Sequence, residues 1–247
     1  MSTTEEQERL AVALKDAILK AYNPEVVILF GSLGRGDADE FSDVDLFLVI
    51  ETDKDNSKLS EEIEGCLDSI TKNKHIIVTT PLNFFRQRDI PGTLSFSAVK
   101  DGQILFEKQG WLSQHFPVDS YGKRKREVIQ NEYFRSANEY LTRAELSLKR
   151  GNLFRCRDFT RFAAIKAAKG LFVKHDIHPP RETDLENLIY QVKELEPDLA
   201  QYTEFIRELN CYHPGAAGKT ESRISCSMVD RTKEFVQVVM VQYYPDK

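Results

Sequence analysis

Gly31-Ser-Leu-Gly-Arg-Gly-Asp-Ala-Asp-Glu-Phe-Ser-Asp-Val-Asp-Leu46 is the most informative segment of the chain. It follows a short apolar, β-branched run, Val26-Val-Ile-Leu-Phe30, which predicts a buried strand ending at Gly31. It runs into Val44-Asp-Leu-Phe-Leu-Val-Ile50, a second predicted strand, and the residues between read as a polar loop. Asp43 and Asp45 are two apart where that strand begins, so both carboxylates project from one face. Like charges so placed repel unless a cation sits between them. Mg²⁺ suits the pair, since it prefers carboxylate oxygens and shares its other positions with water and substrate phosphates. Gly31 lets backbone approach a ligand closely. Ser32 offers a hydroxyl and a backbone N–H to phosphate oxygens, and Arg35 adds a positive charge nearby.

The segments on either side extend the pattern. Leu10, Ala13, Leu14, Ala17, Ile18 and Ala21 recur at helical spacing before the first strand. After the second strand, Ser57 to Ile70 predicts a helix, Ile76-Ile-Val-Thr-Thr80 a strand stopped by Pro81, the stretch around Phe96 to Val99 a helix, and Ile104-Leu-Phe106 a brief strand. That is a small mixed sheet backed by helices, an α/β architecture. From Tyr121 onward no strand is predicted. Phe134 to Leu148 marks one long helix closed by Gly151, and Cys156 to Leu171 a second. Leu185–Leu195 and Leu199–Leu209 are shorter helices, Asn210 to Thr220 is a loop, and Ser222 to Tyr244 is the last helix. The second half therefore reads as an all-α antiparallel bundle. The boundary falls near Pro117–Lys125, giving domains over 1–118 and 119–247, with Trp111 packing their junction.

Composition bounds the function. The 247 residues are 41% hydrophobic and 30% charged, which suits a globular protein. No apolar run approaches the roughly 18 residues of a membrane span. Charges run throughout Met1 to Lys20, which predicts no signal peptide. Four scattered cysteines without a C-x-x-C pair argue against a zinc knuckle or disulfide framework and point to a cytoplasmic location. Net charge is −5 but uneven: residues 1–118 carry −8, residues 119–175 carry +8 and residues 176–247 carry −5. The basic stretch reads as a solvated helix face, and Lys123-Arg-Lys-Arg126 as linker or first helical turn, with RNA a weaker reading.

Gly31-Ser32 followed by Ser42-Asp43-Val44-Asp45-Leu46 resembles the nucleotidyltransferase superfamily signature, closest to its minimal and kanamycin-type members. The resemblance extends over about residues 20–108. It implies that Gly31 and Ser32 hold the phosphates of a nucleoside triphosphate, that Asp43 and Asp45 bind Mg²⁺ in a plausible two-metal site, and that a nucleoside monophosphate, most simply AMP from ATP, is moved to an acceptor hydroxyl on a small molecule or a protein. Many such proteins carry a third carboxylate on the strand that here reads His75-Ile-Ile-Val-Thr79, without Asp or Glu. Glu127, Glu132 or Glu139 of the second half could supply it, or His75 could stand in as base. Without it, the chain would be a non-catalytic nucleotide-binding or sensing protein.

The second half resembles a HEPN domain through Tyr133-Phe-Arg-Ser-Ala137, Lys166-Ala-Ala-Lys-Gly-Leu171 and Thr183-Asp-Leu185. That likeness makes a homodimer plausible. Many HEPN domains are metal-independent ribonucleases through an Arg and a His separated by four to six residues, a spacing that Arg207 and His213 satisfy. Glu208 and Gly215 depart from the residues that usually accompany them.

Overall fold

The computed structural model describes residues 3–39, 41–181, 183–213 and 219–243. The chain forms two compact units, Met1–Ser120 and Tyr121–Lys247.

The first unit is built on a four-stranded sheet, β1 (Val26–Phe30), β2 (Val44–Val49), β3 (Lys74–Thr79) and β4 (Gln103–Glu107), in the order β3-β2-β1-β4. β1 runs antiparallel to both β2 and β4, while β2 and β3 are parallel and joined through α3 (Asn56–Cys66). Alternation along the strands sorts the core into two layers. Val27, Leu29, Leu46, Leu48, Ile76 and Val78 face α1 (Thr3–Ala21) and α3, where Leu14, Ile18, Leu59 and Ile63 meet them. Val26, Ile28, Phe47 and Val49 face the other way, onto Phe84 and Phe85 of α4 (Pro81–Gln87) and Ala98 of α5 (Leu94–Asp101). Burying each large side chain contributes about 1.5–3 kcal/mol.

Two elements differ from the sequence expectation. Pro81 does end β3, but it also starts α4: it occupies the first turn, where a missing N–H costs nothing, and Thr80 caps the helix by accepting from Asn83 N. The residues after β1 are a loop only in part, because Gly31–Arg35 wind into a short helix, α2. Trp111, expected at a junction, packs on Phe84 and Phe85 at ring separations of 5.5 and 4.8 Å.

β3 lies at an edge, where unpaired N–H groups invite further strands. Here α3 supplies the missing acceptors. Glu64 Oε1 accepts from Ile76 N at 2.7 Å and Ser60 Oγ accepts from Val78 N at 3.1 Å.

The second unit is helical, with α6 (Tyr121–Val128), α7 (Arg135–Lys149), α8 (Leu153–Lys174), α9 (Leu185–Leu195), α10 (Thr203–Cys211) and α11 (Lys219–Tyr243). α8 is its centre, packed by α7, α9 and α11. Ala163, Ala164, Ala167 and Ala168 are all buried, and such small side chains let neighbouring helices come close. α6 and α7 are joined without a break by a π-helical segment, Ile129–Phe134. This slack turns Tyr133 and Phe134 inward onto Gly170, where an added Cβ would lie 3.2 and 3.3 Å from them. The predicted long helix is thus longer still, beginning before Phe134. Among the described residues no helix is long and apolar enough to cross a membrane.

Glu64→Ala should expose the β3 edge, costing about 1–2 kcal/mol in urea unfolding and speeding amide exchange at Ile76. Unchanged exchange there would show that Glu64 does not protect the strand.

Candidate active site

The antiparallel register of β1 and β2 pairs Phe30 with Asp45, so the turn after β1 meets the start of β2. Gly31 makes that turn with φ of +71°, a backbone conformation costly for other residues. A Cβ there would sit 2.0 Å from Asp45 Oδ2, so the main chain of Gly31 lies directly against the carboxylate. Ser32 follows in the first turn of α2, whose leading N–H groups have no partner within the helix. Gly36, at φ of +79°, closes α2, and Asp37 N donates back to Ser32 O at 3.0 Å.

Arg35 forks onto Asp37, with Nε 3.1 Å from Oδ2 and Nη2 3.0 Å from Oδ1. Its charge still reaches Asp45. Beyond Asp37 the loop folds on itself: Asp39 Oδ1 accepts from Ser42 Oγ at 2.8 Å and from Phe41 N at 3.1 Å. The Ser42 bond foremost holds the Asp39 carboxyl below its ordinary range.

Asp43 is exposed just before β2, and Asp45 is half-buried as its second residue. Burial chiefly pushes the Asp45 carboxyl above its ordinary value; His75 opposes this, the Asp43 charge adds to it and Arg35 opposes it. The parallel β2–β3 register places His75 beside Asp45, with Nδ1 3.5 Å from Oδ1. His75 also lines a groove of about 320 Å³ between α3 and β3, together with Ser57, Ser60, Glu61, Glu64 and Leu94. The sequence named Gly31, Ser32, Arg35, Asp43, Asp45 and His75, but the lateral register that sets His75 against Asp45 is carried by long-range pairing and has no local signal.

Among the described residues no group of three His, Cys, Asp or Glu side chains is arranged to hold a metal ion. The chain offers two hard carboxylates instead. That donor set fits Mg²⁺, which commonly takes one or two protein carboxylates and fills its octahedron with water and substrate phosphates. Asp43 and Asp45 would hold the ion.

In the helical unit, Arg207 on α10 is taken by Glu186 at 3.0 Å and Glu204 at 3.8 Å. His213 instead meets Arg157, with Nδ1 2.8 Å from Nη1. The two thus have different partners, and Gly215 lies outside the described residues. Glu139 pairs with Arg135 at 3.6 Å, Glu132 is exposed on the π segment, and Glu127 lies on α6.

A mixed sheet carrying a Gly-Ser turn against paired aspartates is the arrangement of a nucleotidyltransferase domain. Residues 14–110 match the family described as polymerase beta, nucleotidyltransferase, and residues 130–219 match the HEPN domain. The chain therefore carries a nucleotidyltransferase domain followed by a HEPN domain. Among solved structures, it is similar to a nucleotidyltransferase-like protein from Exiguobacterium sibiricum 255-15, at 12% identity and a TM-score of 0.45 over 93% of this chain and 77% of that one. No curated protein matches the sequence.

The raised pKa of Asp45 has a signed consequence. The folded state binds its proton more tightly than the unfolded chain, so metal-free stability falls as pH rises from the ordinary carboxylate range through the raised value. Asp45→Asn should remove that part of the decline and melt above wild type at pH 7 without metal, as read by calorimetry. A lower melting temperature across the range would show that the carboxylate is not strained.

Proposed function

We propose that this chain is a Mg²⁺-dependent nucleotidyltransferase that moves a nucleoside monophosphate, most simply AMP from ATP, onto the hydroxyl of a small molecule or protein. The observation that carries the proposal is the contact between the Gly31 turn and Asp45, which sets backbone N–H groups suited to phosphate oxygens against a carboxylate pair. In this reading an acceptor oxygen forms a bond to the α-phosphorus, the bond from that phosphorus to the bridging oxygen breaks, and pyrophosphate leaves with the electron pair. Ser32 donates its hydroxyl and N–H to phosphate oxygens, and these dipoles are fixed before substrate arrives. Arg35 adds positive charge beside them. Magnesium, when bound, would neutralise the phosphates and align the attacking and leaving oxygens. The acceptor proton would pass to Nε2 of His75, whose Nδ1 is turned to Asp45.

A second reading, a nucleotide sensor without transfer, is favoured by one observation: β3 offers His75 beside Asp45 where a third acid would complete the metal site. The ribonuclease reading through Arg207 and His213 has less support, since Glu186 and Arg157 take those side chains separately.

The discriminating experiment follows label from α-³²P nucleoside triphosphates with Mg²⁺, for the protein alone, with cell extract and with hydroxyl-bearing small molecules. Transfer by wild type, falling at least about 100-fold in Asp43→Asn and Asp45→Asn, is the expected result. Nucleotide binding with no transfer under any condition would favour the sensor. RNA cleavage that survives EDTA and Asp43→Asn but not Arg207→Ala would instead establish the ribonuclease.

A further inference from the structure

Gln7 is a polar residue on the buried side of α1, 8% exposed and 32 to 35 positions away from its partners. Its Nε2 donates to two main-chain oxygens of the loop before β2, Asp39 O at 2.9 Å and Ser42 O at 3.0 Å. Two carbonyl acceptors fix which end of the amide is nitrogen. The other end, Oε1, is buried without a hydrogen-bond donor among the described residues. A buried acceptor left this way weakens the fold, and an apolar side chain of the same length would remove that cost, giving up only two hydrogen bonds to carbonyls that are themselves part-buried. Packing therefore does not explain Gln7.

The target of the clamp does. Ser42 O belongs to the peptide that joins Ser42 to Asp43, so holding it fixes the plane from which Asp43 projects. The next peptide is held as well, because Val44 N donates to Asn73 O at 3.1 Å. Asp39 and Ser42 brace the loop internally through the Asp39 N to Ser42 Oγ bond at 3.0 Å and the reciprocal bond to Asp39 Oδ1 at 2.8 Å. Asp43 is thus exposed at its side chain but fixed on both sides of its main chain.

We infer that Gln7 is a positioning residue for Asp43: its amide holds the Asp39–Ser42 loop so that the Asp43 carboxylate is set beside that of Asp45 before any cation arrives. The inference rests on the reading of Asp43 and Asp45 as the metal-holding pair. A pair of carboxylates held close in advance binds a cation more tightly than one that must be ordered on binding.

The test separates stability from metal affinity. Gln7→Met removes both donors together with the unpaired oxygen while keeping the side chain's length. Its melting temperature should stay within about 2 °C of wild type or rise, while Mn²⁺ affinity, followed by water-proton relaxation, falls about tenfold. Ser42→Ala, which loosens the same loop at the surface, should weaken Mn²⁺ in the same direction. Asp43→Asn is the control. Wild-type Mn²⁺ affinity in Gln7→Met would overturn the inference and leave the metal site standing. A melting temperature that drops in parallel with affinity would also overturn it, by making Gln7 merely structural. Equal Mn²⁺ binding by wild type and Asp43→Asn would remove the metal site itself, and the inference with it.

Discussion

The antiparallel pairing of Phe30 with Asp45 is the constraint around which the first unit is arranged. Once β1 and β2 lie in that register, the turn leaving β1 must pass within contact of the carboxylate opening β2, and only a residue without a Cβ can stand there. The loop that reconnects the strands then has little freedom. It winds one short helix, closes on Gly36, and folds over Asp37 and Asp39 before reaching Asp43. A backbone turn and two acidic side chains, each unremarkable alone, are forced together by the sheet.

That assembly is held against its own electrostatics. Asp45 is partly removed from water and stands near a second negative charge, both of which disfavour its ionised form. The layer behind it resists relaxation: Phe47, next on the same face of β2, packs at 6.1 Å from Phe30 and 6.3 Å from Phe84. His75 softens the strain from the neighbouring strand. Hydrophobic packing on one face of the sheet thus keeps charge density at its end, an arrangement with little structural purpose that accords with the proposed cation site.

Much of this was legible in the sequence because it is local. Strand, Gly-Ser turn, polar stretch and paired aspartates lie within about twenty consecutive residues, and period-2 alternation assigns Asp43 and Asp45 to one face. The helical half was legible through its apolar spacing. What escaped was either ambiguous chemistry or distant geometry. Pro81 signals both an end and a beginning, and only the Thr80 cap decides for a helix. The π segment keeps an almost helical pattern, so its extra residue hides within the phase of α6 and α7. Gln7 looks like any polar residue of an amphipathic helix, since its partners are main-chain atoms more than thirty positions away. The place of His75 beside Asp45 depends on a crossover through α3 that no spacing rule encodes.

The side chains that cap β3 also set a direction for the domain's growth. With Ile76 N and Val78 N already taken by Glu64 and Ser60, a fifth strand has no ladder to join beside β3. Any enlargement of this sheet, whether by an inserted hairpin over evolutionary time or by a strand donated from a misfolded neighbour, is channelled to the β4 border. The histidine-bearing margin of the site is thereby shielded from both.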